Sequence, residues 1–237
     1  MIVVAAGRSE RMRASGADDV RKPFLELGGE TVIRRTVRAL WSAPCVAELV
    51  VVGHTDDLDR HEAALAGLER PVEVVAGGSE RADSVALGVA ACSAETEVLA
   101  IHDGARPFVT AERVDAVCRA AQEHGGALLA VPARDTLKWS DDGLHAARTL
   151  DRSHVFAAHT PQAFRAAEFR AALERAAAEG LRPTDDAGLW ERYHGPVVLV
   201  EDDPFNFKLT TPADLELARA LAARLDPDHP ASDSIPR

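Results

Sequence analysis

The chain has no apolar run near the roughly 20 residues needed to span a bilayer. It begins Met1-Ile2-Val3-Val4-Ala5-Ala6-Gly7, with neither a basic region nor a long apolar segment. Neither a membrane span nor a secretory signal is expected, and a cytoplasmic location is. Cysteine is scarce: Cys45, Cys92 and Cys118 are too few and too scattered for a disulfide framework or a zinc knuckle. Lysine is scarce as well. Of 27 basic residues only Lys22, Lys138 and Lys208 are lysine, and a lysine kept in an arginine-using chain marks a place suited to a compact point charge. Positive charge is short overall. The net charge of −11 repels phosphate backbones, so no nucleic-acid partner is expected. No internal repeat and no linker divides the 237 residues. Residues 1–225 therefore read as a single domain, followed by a Pro-, Asp- and Ser-rich tail, 226–237, expected to be disordered.

What remains is an alternation of short β-branched runs with helical patterns. Ile2–Ala5, Glu48–Gly53, Val72–Ala76, Val98–His102, Ala127–Pro132 and Pro196–Glu201 read as strands. Ile33, Val37, Leu40 and Trp41 fall on one face of a helix, as do Val85, Val89 and Cys92, and Val114, Val117 and Ala121. Residues 212–225 read as a closing helix. The alternation predicts an α/β fold, a mostly parallel sheet with helices on both faces. Residues 133–155 break the rhythm. They are polar, carry Asp141-Asp142-Gly143, and read as a β-arm projecting from the sheet.

Open parallel sheets bind ligands beyond the carboxyl ends of their strands. The first such loop is Ala5-Ala6-Gly7-Arg8-Ser9-Glu10-Arg11-Met12, leading to Arg21-Lys22-Pro23. Small residues at 5–7 let backbone N–H groups approach a phosphate, and Arg11 and Lys22 supply positive charge. The glycine spacings of Walker A and of the dinucleotide fingerprint are missing. A second loop, Gly77-Gly78-Ser79-Glu80-Arg81-Ala82-Asp83-Ser84, suits a nucleobase or ribose at a helix N-terminus; an ordinary capped glycine turn is the plainer alternative. A third, His102-Asp103-Gly104-Ala105-Arg106-Pro107, sets a carboxylate at the mouth of the sheet, where a metal meets phosphate oxygens. A structural Asp103–Arg106 pair competes with that reading. Further along lie Arg134-Asp135-Thr136-Leu137-Lys138, Asp151-Arg152, Thr160-Pro161-Gln162, Thr184-Asp185-Asp186 and Asn206-Phe207-Lys208. Their hydroxyls and cations suit a phosphorylated polyol. The histidines near these motifs have no metal-site spacing.

Taken in order, these motifs resemble the 2-C-methyl-D-erythritol 4-phosphate cytidylyltransferases, from Ile2 to about Leu225. The resemblance implies a Rossmann-like nucleotidyltransferase core, a homodimer formed partly by the arms at about 133–155, and transfer of CMP from CTP, with Mg²⁺, to a small polyol phosphate. Arg11, Lys22, Arg152 and Lys208 match the catalytic positions. Ala5, Ala6, Gly7, Gly78, Ser79, Ser84, Asp103 and Gly104 match the nucleotide site. Asp103, Arg106, Thr136, Arg152, Thr160, Thr184 and Lys208 match the acceptor site, with Asp103 also a direct or water-mediated metal ligand. The first loop departs from the family pattern: Ser9 stands where glycine is usual, and Pro23 follows Lys22 without a backbone N–H. Lys-Pro followed by apolar residues also resembles the loop of molybdenum-cofactor guanylyltransferases. A cytidylyltransferase for ribitol 5-phosphate and a non-catalytic nucleotide-binding regulator are the other readings.

Overall fold

The computed structural model describes residues 1–7 and 21–225. Arg11, Ser9 and the tail 226–237 lie outside the described residues. A seven-stranded sheet forms the centre, in the order β11-β7-β10-β6-β1-β4-β5. Its strands are β1 (Ile2–Val4), β4 (Val50–Gly53), β5 (Glu73–Ala76), β6 (Val98–Asp103), β7 (Gly126–Pro132), β10 (Phe156–Arg165) and β11 (Val198–Glu201). The pairs β1–β4, β1–β6, β4–β5 and β7–β11 are parallel. Along the chain a small hairpin of β2 (Glu26–Leu27) and β3 (Glu30–Thr31) lies between β1 and β4. Its turn needs positive φ at both central positions, met by Gly28 at 60° and Gly29 at 81°.

Side chains alternate across each strand, and that alternation splits the core. Val3, Val51, Ala100 and Leu129 face α1 (Val32–Trp41) and α4 (Ala111–His124), whose Ile33, Val37, Val114 and Val117 are buried there. Ile2, Val50, Leu99 and Ile101 face the other way. They meet α3 (Arg81–Ala91), α5 (Ala166–Glu179) and α6 (Asp186–His194). The remaining helices are α2 (Leu58–Leu65), packed beside α1, and α7 (Pro212–Leu225). Ala218, Leu221 and Ala222 of α7 form a third cluster with Leu27, Phe108 and Leu209. The expected sheet with helices on both faces is present. Among the described residues no helix is long and apolar enough to cross a membrane.

The sequence reading assigns no element to 156–195, and here the structure corrects it. Residues 156–165 form β10, antiparallel to both β6 and β7 near the middle of the sheet. Pro161 argues against a central strand because it cannot donate a ladder hydrogen bond. The strand accommodates it with a register shift between Ala158 and Gln162. There the Thr160 hydroxyl, not a backbone carbonyl, accepts from the Asp103 N–H at 3.0 Å.

The arm is a two-stranded hairpin, β8 (Lys138–Trp139) with β9 (Arg148–Thr149). Trp139, Leu144 and Phe156 on and beside it are exposed.

Candidate active site

The carboxyl ends of β1, β4, β5 and β6 converge on a cleft of about 470 Å³. Ala5, Ala6 and Gly7 continue β1 along its floor. Gly78, Ser79, Glu80, Arg81 and Ser84 form one wall, and Lys22, Pro23, Asp103, Gly104 and Lys208 also line it. Among the described residues three cations, Lys22, Arg81 and Lys208, thus line the cleft with two carboxylates, Glu80 and Asp103, in a protein of net charge −11.

The glycine wall is fixed by steric demand. A Cβ on Gly77 would lie 2.6 Å from the Ala6 Cβ and 2.8 Å from the Ser84 Oγ. The Ser84 hydroxyl accepts from the Gly78 N–H at 3.1 Å and donates to the Glu80 carbonyl at 3.1 Å, closing the turn onto the first turn of α3. Lys22 and Pro23 begin a 3-10 turn, Lys22–Phe24, with proline at its first positions. The missing proline N–H is no loss there, because the opening amides of such a turn have no partner within it. Lys22 is 9% exposed and lines the cleft.

Asp103 ends β6 and is the electrostatic centre. Its Oδ2 lies 2.9 Å from the Lys208 Nζ and 3.5 Å from the Arg106 Nε, and its Oδ1 lies 3.8 Å from the Arg81 Nε. Burial pushes the carboxyl pKa up, but Lys208, Arg81 and Arg106 together outweigh it and bring the value down to about 2. Arg81 is held in turn by Asp186, with paired hydrogen bonds of 3.0 and 2.6 Å. Asp186 is placed by the start of α6. Asp185 caps Gly188 at 2.9 Å, and the Gln162 side chain bonds both Asp185 and the Ala187 N–H.

Behind Asp103 runs a neutral relay. His102 is fully buried, which lowers its pKa to about 4 and keeps the ring uncharged. Its Nε2 meets the Arg106 carbonyl at 3.0 Å, an acceptor, so Nε2 carries the proton. Nδ1 therefore accepts from Thr160, 3.1 Å away. The Thr160 hydroxyl donates to His102 and accepts from the Asp103 amide.

The sequence-predicted residues divide accordingly. Ala5, Ala6, Gly7, Lys22, Gly78, Ser79, Ser84, Asp103, Gly104 and Lys208 are brought together around the cleft. Arg106 and Thr160 are buried against Asp103, beneath the lining rather than in it. Thr136, Arg152 and Thr184 are exposed and do not line the cleft of their own chain. Arg152 instead donates to the Arg134 carbonyl at 2.6 Å. Sequence reasoning missed Arg81 and His54 as lining residues. Arg81 sits inside a quoted motif, yet its partner Asp186 is 105 positions away, a separation no local pattern reveals.

Comparison with known proteins places the chain in a family. The chain is 44% identical over 223 residues to a bifunctional enzyme IspD/IspF of Anaeromyxobacter dehalogenans, covering 93% of this chain and 56% of that protein. It is 42% identical to the 2-C-methyl-D-erythritol 4-phosphate cytidylyltransferase of Geobacillus kaustophilus, covering 94% and 96% of the two chains. Among solved structures, the 2-C-methyl-D-erythritol 4-phosphate cytidylyltransferase of Thermus thermophilus superposes with a TM-score of 0.74 at 34% identity, covering 93% and 97%. The 4-diphosphocytidyl-2C-methyl-D-erythritol synthase of Anaerococcus prevotii reaches 0.81 at 29% identity, covering 93% of each chain. The family model matches residues 1–224, so this chain belongs to the 2-C-methyl-D-erythritol 4-phosphate cytidylyltransferase family.

Proposed function

We propose that this enzyme transfers CMP from CTP to 2-C-methyl-D-erythritol 4-phosphate and releases pyrophosphate. The observation that carries the reading is the Asp103 cluster: one carboxylate gathering Lys208, Arg81 and Arg106 at the mouth of a cleft floored by Ala5, Ala6 and Gly7. Nucleotidyl transfer asks a protein mainly for alignment and for neutralised charge. An oxygen of the acceptor phosphate attacks the α-phosphorus of CTP in line. The new P–O bond forms as the α–β bridging bond breaks, and pyrophosphate leaves with the electron pair. A phosphate monoester is largely ionised at neutral pH, so no general base is needed. Lys22 stabilises charge on the triphosphate, together with Arg11. Gly78, Ser79 and Ser84 face the base and ribose. Lys208, which lines the cleft and is already drawn to an anion, takes the acceptor phosphate, and Arg106, buried beneath it, adds positive charge from behind Asp103.

Among the described residues no group of three or more His, Cys, Asp or Glu is arranged to hold a metal. Asp103 is a carboxylate lining the cleft and would offer a single contact to an ion carried by the triphosphate. Mg²⁺ keeps several waters and binds through one or two carboxylates plus phosphates, and Asp103 would supply one such oxygen. When bound, the ion neutralises phosphate charge.

The exposed arm extends the proposal. Thr136 and Arg152 lie away from their own cleft, so we assign them to the acceptor site of a second copy, in a homodimer joined partly by the arms. The test of the main reading is pyrophosphate release from CTP and from GTP, each with methylerythritol phosphate and with ribitol 5-phosphate. CTP with methylerythritol phosphate is expected to be fastest. Equal turnover with GTP overturns the nucleotide assignment, and preference for ribitol 5-phosphate overturns the acceptor.

A further inference from the structure

We propose that Asn206, anchored by Asp202, is the positioning residue that holds Lys208 and Arg106 against Asp103, a role that rests on the cytidylyl-transfer reading above. Asn206 is fully buried. Its Nδ2 donates to the Thr160 carbonyl at 2.9 Å and to the Asp202 Oδ2 at 2.8 Å. Those two acceptors fix the orientation of the amide, since the flipped group would set oxygen against oxygen. Its Oδ1 has no hydrogen-bond partner among the described residues, so the side chain serves through its two donors. The Asn206 backbone carbonyl accepts from the Arg106 Nη1 at 2.7 Å.

One residue thereby joins three segments that meet at Asp103. They are the loop after β6 with Arg106, the Thr160 turn of β10, and the stretch after β11 that carries Lys208. Three residues on, the Leu209 N–H bonds the Ala105 carbonyl at 2.9 Å. Lys208 therefore sits between two fixed points, which sets its Nζ 2.9 Å from Asp103. Asp202 secures the arrangement from below. Its side chain is wholly buried, and its Oδ2 also receives the His159 Nδ1 at 2.7 Å. Lys208 is 38% exposed at the side chain, so packing alone does not hold it; the bracketing backbone does.

The experiment uses the chain's few lysines. Lys22, Lys138 and Lys208 are the whole set, and exposed Lys138 serves as the reference. The intact protein is treated with an acetylating N-hydroxysuccinimide ester and read by peptide mass spectrometry. In Asn206→Ala and in the isosteric Asn206→Asp, both of which remove the donors, Lys208 acetylation relative to Lys138 is expected to rise several-fold, about three or more. Steady-state kinetics should show KM for the acceptor rising roughly tenfold, as expected for one disrupted buried hydrogen-bond set, with KM for CTP within about twofold. Unchanged Lys208 labelling in both variants overturns the proposal, as does a CTP KM that rises in step with the acceptor KM. Absence of cytidylyl transfer in the unmodified enzyme would defeat the functional reading instead, and the labelling arm would then decide the positioning role alone.

Discussion

Around Asp103 the polar contacts mostly join residues far apart in sequence, whereas in the arm none of them reaches beyond the arm itself: Arg152 meets the Arg134 carbonyl and Lys138 meets Thr149. Arg81 meets Asp186 across 105 positions, Arg106 meets the Asn206 carbonyl across 100, and the Asp103 amide meets Thr160 across 57. In the arm, Asp142 holds His145 three residues on, Asp151 holds Ser153 two on, and the Trp139 indole donates to Asp141 two on. Long-range contacts must overcome loop closure before they contribute, so they exist only when the whole sheet is formed. Local turns form with the hairpin itself. The cleft is thus a product of the global fold, and the arm is a self-contained projection that carries its residues to another surface.

The strongest way to break this comparison is at Lys22, on the cleft side. Lys22→Ala is expected to lower kcat by roughly 10²–10³-fold, the usual cost of one preorganised charge contact in a transition state, with a much smaller change in the KM for CTP. Steady-state pyrophosphate release measures both, and an unchanged kcat would remove Lys22 from the reaction.

Mixing sharpens the contrast between cleft and arm. If Arg152 serves a second copy, inactive Lys22→Ala and Arg152→Ala subunits should regain activity when allowed to exchange. Random pairing makes about half the dimers mixed, and each mixed dimer has one intact site, giving about a quarter of wild-type activity in a closed twofold assembly. No recovery after verified exchange would place Arg152 in its own chain's site.

The smallest effect is on stability against acid. Asp103 is held at about pKa 2, below its ordinary 3.8. A depressed carboxyl contributes stability that is fully present above about pH 4 and lost as pH falls through 2. The shift corresponds to about 2 kcal/mol. Melts between pH 2 and 5 should show a shallower pH slope for Asp103→Asn than for wild type. Arg152→Ala, on the exposed arm, should keep the wild-type slope and a Tm within about 2 °C. Identical slopes for all three would mean the Asp103 charges do not couple to folding.

The same contrast explains what the sequence made legible. Val50-Val51-Val52, Val98–His102 and Ala127–Pro132 announce strands because β-branched and apolar runs have few other homes in a chain of this composition. The loops that follow them are therefore legible too, and Gly78, Ser84, Asp103 and Lys22 all reach the cleft. β10 is illegible because Pro161 and the polar residues beside it argue against a central strand, and only the register shift makes one possible. His102 looks incidental in sequence. Its partners, the Arg106 carbonyl and the Thr160 hydroxyl, give it a fixed tautomer and a structural task that only the folded chain defines.

The antiparallel strand also bears on how the polypeptide is assembled as it leaves the ribosome. β6 and β7 are consecutive along the sheet-forming part of the chain, yet they do not pair; β10 lies between them. Until residues 156–165 have been synthesised, one edge of β6 has no partner, and the Asp103 amide has no Thr160 hydroxyl to bond. A nascent chain halted before that point would present an unprotected strand edge to its neighbours. Closure of the β6 edge and arrival of the Thr160 hydroxyl at the Asp103 amide are consequently a single event, and β11 and Lys208 follow only later in the chain, so products truncated before residue 156 should lack both the closed edge and the finished cleft.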